Sequence, residues 1–168
     1  MKIIGIDPGI NGALCSININ DNTTITHIIV MPIIKEIIRK KKVKRLDIDK
    51  IIEFIKGSDI VVLEKVHTMP NQGISSNGKL METFGTLIGI SRTLYNHKLG
   101  GKLILVSPQV WKRALLGPGK HEKIDSINLA LKYIDKGILI PTKRSVKPHD
   151  GMAEAFLLTK YYLDIYSK

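Results

Sequence analysis

Lys2-Ile3-Ile4-Gly5-Ile6-Asp7-Pro8-Gly9 is the stretch from which the rest of the chain can be ordered. An apolar, β-branched run that stops at a carboxylate and a turn is the pattern of a buried strand delivering Asp7 to the edge of a sheet. Pro8 and Gly9 end the strand, and Gly5 leaves room beside it for a neighbour or a ligand. A carboxylate fixed at a strand end has little freedom left to lose on binding a cation, which makes Asp7 a candidate metal ligand. The same residues also make a plain Asp-Pro-Gly turn. The acids further along the chain decide between the two.

The design recurs at Asp59-Ile60-Val61-Val62-Leu63-Glu64, a short apolar run of the kind buried on both faces of a sheet, again ending in an acid. If the two strands are parallel neighbours, Glu64 and Asp7 emerge at the same edge. Two buried carboxylates side by side are costly unless a cation lies between them. The alternative for Glu64 is a pairing with a nearby lysine such as Lys65. A third acidic site opens the last helix at His149-Asp150-Gly151-Met152-Ala153-Glu154-Ala155. There Asp150 and Glu154, four apart, share a face. Acids in a first turn also serve simply as helix-dipole partners.

The segments between these acids are more ordinary. Residues 12–20 and 23–31 alternate like strands across a turn at Asp21-Asn22, which with the first strand makes an antiparallel meander. Residues 35–45 carry Lys35, Arg39, Lys40, Lys41, Lys42, Lys44 and Arg45 against only Glu36, and read either as a solvated loop or as a phosphate-contacting arm. Residues 46–56 suit an amphipathic helix capped by Asp47 and ended by Gly57. Residues 67–79, rich in Gly, Ser, Asn and Gln, read as a functional loop beside the acidic edge or as a linker. Residues 80–97 have helical spacing, with Gly85 and Gly89 one turn apart on a side that admits another backbone closely, from within the fold or from a second copy. After a turn at Gly100-Gly101, residues 102–106 form a strand, and Ser107-Pro108 opens a helix as N-cap and first-turn proline. Trp111, Leu115 and Leu116 are expected in the core, with Lys112 and Arg113 more exposed. A Gly-rich bend at 117–123 lacks the spacing of a phosphate-binding P-loop and leads to a helix over about residues 123–136. Residues 143–147 are basic again.

At 168 residues the chain suits one domain, 1–168, with 43% hydrophobic and 24% charged content as in ordinary globular proteins. Lys and Arg number 26 against 15 Asp and Glu, a formal charge of +11 that points to a polyanionic partner, most simply nucleic acid. No apolar run is long enough to cross a bilayer, and a strand at the very start leaves no room for a signal peptide, so an intracellular, cytoplasmic protein is expected. Cys15, the single cysteine, is expected as a small core residue. Clustered hard oxygen ligands within a positively charged protein suit Mg²⁺ or Mn²⁺ and phosphodiester hydrolysis, so the residues alone propose a metal-dependent nuclease.

The chain also resembles the RuvC-like Holliday junction resolvases of the RNase H-like nuclease superfamily. The resemblance rests on Gly-Ile-Asp-Pro-Gly at 5–9, Leu-Glu-Lys-Val-His at 63–67, Pro-Gln-Val-Trp-Lys at 108–112, Gly-Pro-Gly-Lys-His-Glu-Lys at 117–123 and Asp-Gly-Met-Ala-Glu-Ala at 150–155, in family order. It implies an α/β fold with a mixed five-stranded sheet, an antiparallel meander plus parallel strands, flanked by helices. It implies two Mg²⁺ ions, with Mn²⁺ substituting, on Asp7, Glu64, Asp150 and Glu154, and assistance from Lys112 or Lys123. His149 is a ligand, a water activator or neither. For DNA contacts the expected residues are His67, Met69 and Gln72 toward bases, and Ser75, Ser76 and Lys79 nearer phosphates. Arg39, Lys40, Lys41, Lys42, Lys44, Arg45, Arg113, Lys120, Lys143, Arg144 and Lys147 complete the basic surface.

The implied protein is a homodimer, joined through helix 80–97, that nicks a four-way junction symmetrically. Two departures stand out. The last-helix acids are Asp and Glu four apart rather than two Asp three apart, and His67 and Met69 occupy the junction loop where the family often has an aromatic ring. Rival readings are a broader fork and flap endonuclease, a junction binder without catalysis, and a nucleotide-binding fold of the actin and sugar-kinase type, which needs a second domain.

Overall fold

A computed structural model of the chain describes residues 1–20, 23–66, 73–142 and 144–166, with the side chains of all of these except 74–76. The opening run is strand β1 (Lys2–Asp7), at the centre of a five-stranded sheet. On one side it pairs antiparallel with β2 (Ala13–Asn20), which pairs antiparallel with β3 (Thr23–Val30). A separate two-stranded ribbon follows, β4 (Ile33–Ile38) and β5 (Lys41–Leu46). Helix α1 (Ile48–Ile55) then leads to β6 (Ile60–Glu64), which pairs in parallel with the other side of β1. Helix α2 (Ile74–Asn96) leads to β7 (Lys102–Val106), parallel to β6 at the sheet's edge. Three helices complete the chain, α3 (Pro108–Leu116), α4 (Lys123–Ala130) and α5 (Asp150–Tyr166), with a short 3-10 helix at Lys136–Leu139 before the last.

Strand alternation sorts the core into two layers. Ile4, Ile6, Val61 and Leu63 face Ile51 and Ile55 of α1 and Leu87 and Leu94 of α2. Ile3 and Val62 face the other way, onto Met152, Ala155, Phe156 and Leu157 of α5 and Trp111 of α3. With Ile6 registered against Leu63, Asp7 and Glu64 leave the sheet side by side. By the same alternation both belong to the α5 layer. Helix α5 crosses β1 closely, and a Cβ placed on Gly5 would lie 2.2 Å from Thr159 Oγ1 and 2.3 Å from the Ala155 carbonyl oxygen. Only glycine leaves that space.

Several expectations change. Residues 35–45 form an antiparallel ribbon rather than a loop, its strands in register from Ile33 opposite Leu46 to Ile38 opposite Lys41, with Ile33 and Leu46 rooting it in the core. Helix α2 starts six residues before residue 80, through Gly78, since extending an existing helix adds a hydrogen bond for each residue fixed. The helix expected over 123–136 stops at Ala130, whose carbonyl accepts from both Tyr133 and Ile134 as the chain turns to bury Leu139. Asp47 caps α1 as expected, accepting from the Lys50 amide at 3.3 Å. Cys15 and Trp111 are fully buried, while Leu115 and Leu116 are only partly so. Gly85 and Gly89 lie exposed on α2, and a Cβ at either would meet nothing within 4 Å, so no contact inside the described fold explains them. The turn at Asp21-Asn22 lies outside the described residues. Among the described residues no helix is long and apolar enough to cross a membrane.

Gly5→Ala tests the seating of α5. The added methyl drives α5 off the sheet and is expected to lower the unfolding free energy by about 3 kcal/mol in urea denaturation, the upper range for overpacking a tight core.

Candidate metal centre

Three elements far apart in the chain build one acidic corner. Asp7 ends β1, Glu64 ends β6, and Glu154 stands one turn into α5. One carboxylate oxygen from each lies within 4.8 Å of the other two. Two oxygens on a common Mg²⁺ ion, each at about 2.1 Å from it, are separated by roughly 3–4 Å, so small side-chain movements bring the trio onto one ion. Close packing of the helix start makes this possible, since a Cβ on Gly151 would fall 2.7 Å from Asp7 Oδ2.

Each acid has a distinct partner. Trp111 Nε1 donates to Glu64 Oε1 at 2.8 Å, and Lys112 Nζ lies 2.7 Å from Glu154 Oε1, which also accepts from Ser126 Oγ at 3.1 Å. Lys112 was expected to be more exposed, but its side chain is only 23% accessible, drawn inward by Glu154, whereas Arg113 is exposed. Glu64 pairs with the indole rather than with Lys65. The hydrogen bonds of Trp111 and Ser126 to these acids are not foreseen from sequence, where Trp111 reads as core alone. The adjacency of Trp111 to Lys112 was the available signal, because consecutive helical residues on the edge of a buried stripe straddle core and site.

Asp150 stands apart from the trio. Its Oδ2 accepts from Lys123 Nζ, the first residue of α4, and the lysine side chain is 81% exposed, so solvent screens the pair. His149 precedes α5, and its Nδ1 accepts from the Met152 amide at 3.3 Å. That hydrogen bond makes the ring a cap for the helix and accounts for one of its two nitrogens.

Electrostatics follow from burial. Burial, then the charges of Glu64, Glu154 and Asp150, pushes the Asp7 carboxyl well above its ordinary range. Burial raises Glu64 to about 7 despite the Trp111 hydrogen bond, which opposes the shift. Burial works against ionisation of Asp150 as well, yet the Lys123 hydrogen bond and charge outweigh it and hold that carboxyl below its usual value. Buried, crowded carboxyls whose pKa is raised are matched chemically by a hard divalent cation, which takes the place of protons and removes the repulsion. The oxygen-only donor set fits Mg²⁺ or Mn²⁺.

The remaining expected residues do not join this corner. Arg39, Lys40, Lys41, Lys42, Lys44 and Arg45 are exposed on the ribbon, Lys79 on α2, Lys120 in the bend before α4, and Arg144 and Lys147 in the segment before α5. Ser75 and Ser76 lie within α2, with side chains outside the description. His67, Met69, Gln72 and Lys143 lie outside the described residues.

No family model matches this sequence, and no curated protein does. Solved structures do. Thermus thermophilus RuvC is similar with a TM-score of 0.56 at 17% identity, covering 98% of this chain and 96% of that one. T. thermophilus RuvC in complex with Holliday junction substrate gives 0.56 at 14% identity, over 99% and 98%. The yeast mitochondrial Holliday junction resolvase Ydc2 gives 0.53 at 12% identity, over 96% and 77%. Over nearly its whole length, therefore, the chain has the RNase H-like α/β fold found in the RuvC and Ydc2 resolvases.

Proposed function

We propose that this protein is a structure-selective, metal-dependent endodeoxyribonuclease that resolves four-way DNA junctions by paired symmetric nicks. The observation that carries the reading is the convergence of Asp7, Glu64 and Glu154 at one sheet edge, with Lys112 on the same cluster. A formal charge of +11 supports a DNA substrate, and one of the similar structures is described as bound to a Holliday junction.

Asp7, Glu64 and Glu154 would hold one Mg²⁺ and, with Asp150, a second; Mn²⁺ has the same ligand preferences. When bound, the ions supply water activation and neutralise the charge on the leaving 3′ oxygen, giving 5′-phosphate ends. The chain's own part is positional. Trp111 holds Glu64 through Oε1 and so would fix the orientation of this carboxylate toward a bound ion. Lys112 and Lys123, now paired with Glu154 and Asp150, are placed to turn toward the scissile phosphate and meet the charge that grows in the transition state. Two symmetric cuts call for two such sites, and the open face of α2 around Gly85 and Gly89 suits the contact between two copies.

Three measurements test this. On a synthetic four-way junction with Mg²⁺, Asp7→Asn, Glu64→Gln and Glu154→Gln should each lose more than the roughly 100-fold that removal of an outer partner costs, with junction binding kept. Asp150→Asn should be milder than Glu154→Gln, and rates on fork, flap and duplex substrates should fall below the junction rate. Full nicking by the three variants would defeat the assignment.

Second, metal-free melts should report the crowded acids. Glu64 rises from an ordinary 4.5 to about 7, so the folded state holds protons that the unfolded chain releases. This contribution to stability is complete below pH 4.5 and is lost as pH rises through 7. Between pH 5 and pH 8 the acidic corner should therefore lower the Tm, Glu64→Gln should flatten that fall, and Mg²⁺ or Mn²⁺ should raise the Tm more at the upper end than at the lower.

Third, Trp111→Phe keeps a buried ring but removes the donor to Glu64. It should cost about 10–100-fold in metal affinity or nicking, measured by metal titration of the Tm alongside turnover. Unchanged metal affinity would reduce Trp111 to a packing residue.

A further inference from the structure

The ribbon β4–β5 violates three folding preferences within fourteen residues, and each violation puts positive charge outside. It is not part of the five-stranded sheet, and a lone two-stranded hairpin is marginal in water. Its root is held by buried Leu46 and by Ile33 against the α1 and α2 layer, while Ile37 near its far end is 76% exposed. Lys35 stands directly opposite Lys44, and Ile37 opposite Lys42, on one face. Like charges directly opposite one another repel, and that face of the ribbon carries no acid. The ribbon's ion pair among the described residues, Arg45 to Glu36 at 3.4 Å, lies on the other face. Finally, the two turn residues Arg39 and Lys40 both have left-handed backbones, φ 48° and 64°, where Asn-Gly is the relaxed choice.

A polyanion against the lysine face would offset the repulsion there, and a turn built from Arg39 and Lys40 in place of relaxed residues adds charge for the same partner. The base of the ribbon opens onto a cleft of about 300 Å³ where Lys44, Arg45 and Lys79 of α2 outnumber the one acid, Glu82, and whose wall reaches Ile10, three residues beyond Asp7.

We propose that the ribbon is a clamp for a double-stranded DNA arm. The face bearing Lys35, Lys42 and Lys44 lies along the phosphate backbone, Ile37 packs on the sugar and groove wall between those contacts, and the strained Arg39-Lys40 turn reaches phosphates beyond them. Backbone contacts of this type position DNA without reading its sequence. The inference rests on the nuclease reading and names the element that holds the substrate.

The test uses the full chain in EDTA, so that cleavage plays no part. Arg39→Asn combined with Lys40→Gly relaxes the turn and should raise the Tm while weakening junction and duplex binding and making the slope of log K against log salt shallower by about 1.8 for the two phosphates lost. Lys35→Gln, Lys42→Gln and Lys44→Gln together should make it shallower by about 2.7 for three. Opposite signs for stability and affinity in the turn variant support the clamp. Parental affinity and salt slope in both variants would overturn it and leave the nuclease reading intact, because that reading is judged by Mg²⁺-dependent nicking. A parent protein that binds neither junction nor duplex, or that binds anionic phosphatidylserine vesicles in place of DNA, would overturn both.

Discussion

Three carboxylates cannot share a buried corner as anions unless something else bears part of their charge, and the architecture around residues 7, 64 and 154 answers that constraint. Parallel pairing of β1 with β6 brings two of the acids together, and the close crossing of α5 over Gly5 brings the third. Lys112, Trp111 and Ser126 then offset part of the repulsion by occupying individual oxygens. Burial, with the repulsion they leave uncompensated, raises the pKa of Asp7 and Glu64. The corner is crowded electrostatically, a condition that a hard divalent cation would relieve.

Rigid elements supply all of these groups. Asp7 and Glu64 sit at strand ends, Trp111 and Lys112 on adjacent positions of α3, and Ser126 and Glu154 on helices packed against each other. Sites carried on strands and helices keep their geometry better than sites carried on loops. The basic ribbon stands outside this framework. It enters between β3 and α1 without disturbing the pairing of the five main strands, so its charge is added at the margin of a sheet whose core needs none of it.

The fold class was legible from local pattern. β-branched runs ending at Asp7 and Glu64, the meander that follows, and the acids opening α5 all appear where periodicity and strand endings put them. Less legible were segments in which local preference was outvoted. The polar stretch at 74–79 is helical because a long helix propagates through it, and α4 stops at Ala130 because Leu139 must be buried. Residues 35–45 look like a loop by charge, yet strand pairing across a tight turn, rooted in the core by Ile33 opposite Leu46, makes them a ribbon.

Sequence alone determined the inventory: which acids end strands, which residues alternate, how much positive charge the surface bears, and that Gly5 lies beside something needing space. Tertiary structure alone decided the assignments within it. Glu154 rather than Asp150 joins Asp7 and Glu64, Lys112 faces inward, and Trp111 gives its N–H to a carboxylate. The reason is that periodicity is a property of neighbours in the chain, whereas the choice of ligand depends on where α5 and α3 come to rest against β1 and β6, a matter of contacts between residues up to 147 positions apart, as from residue 7 to residue 154.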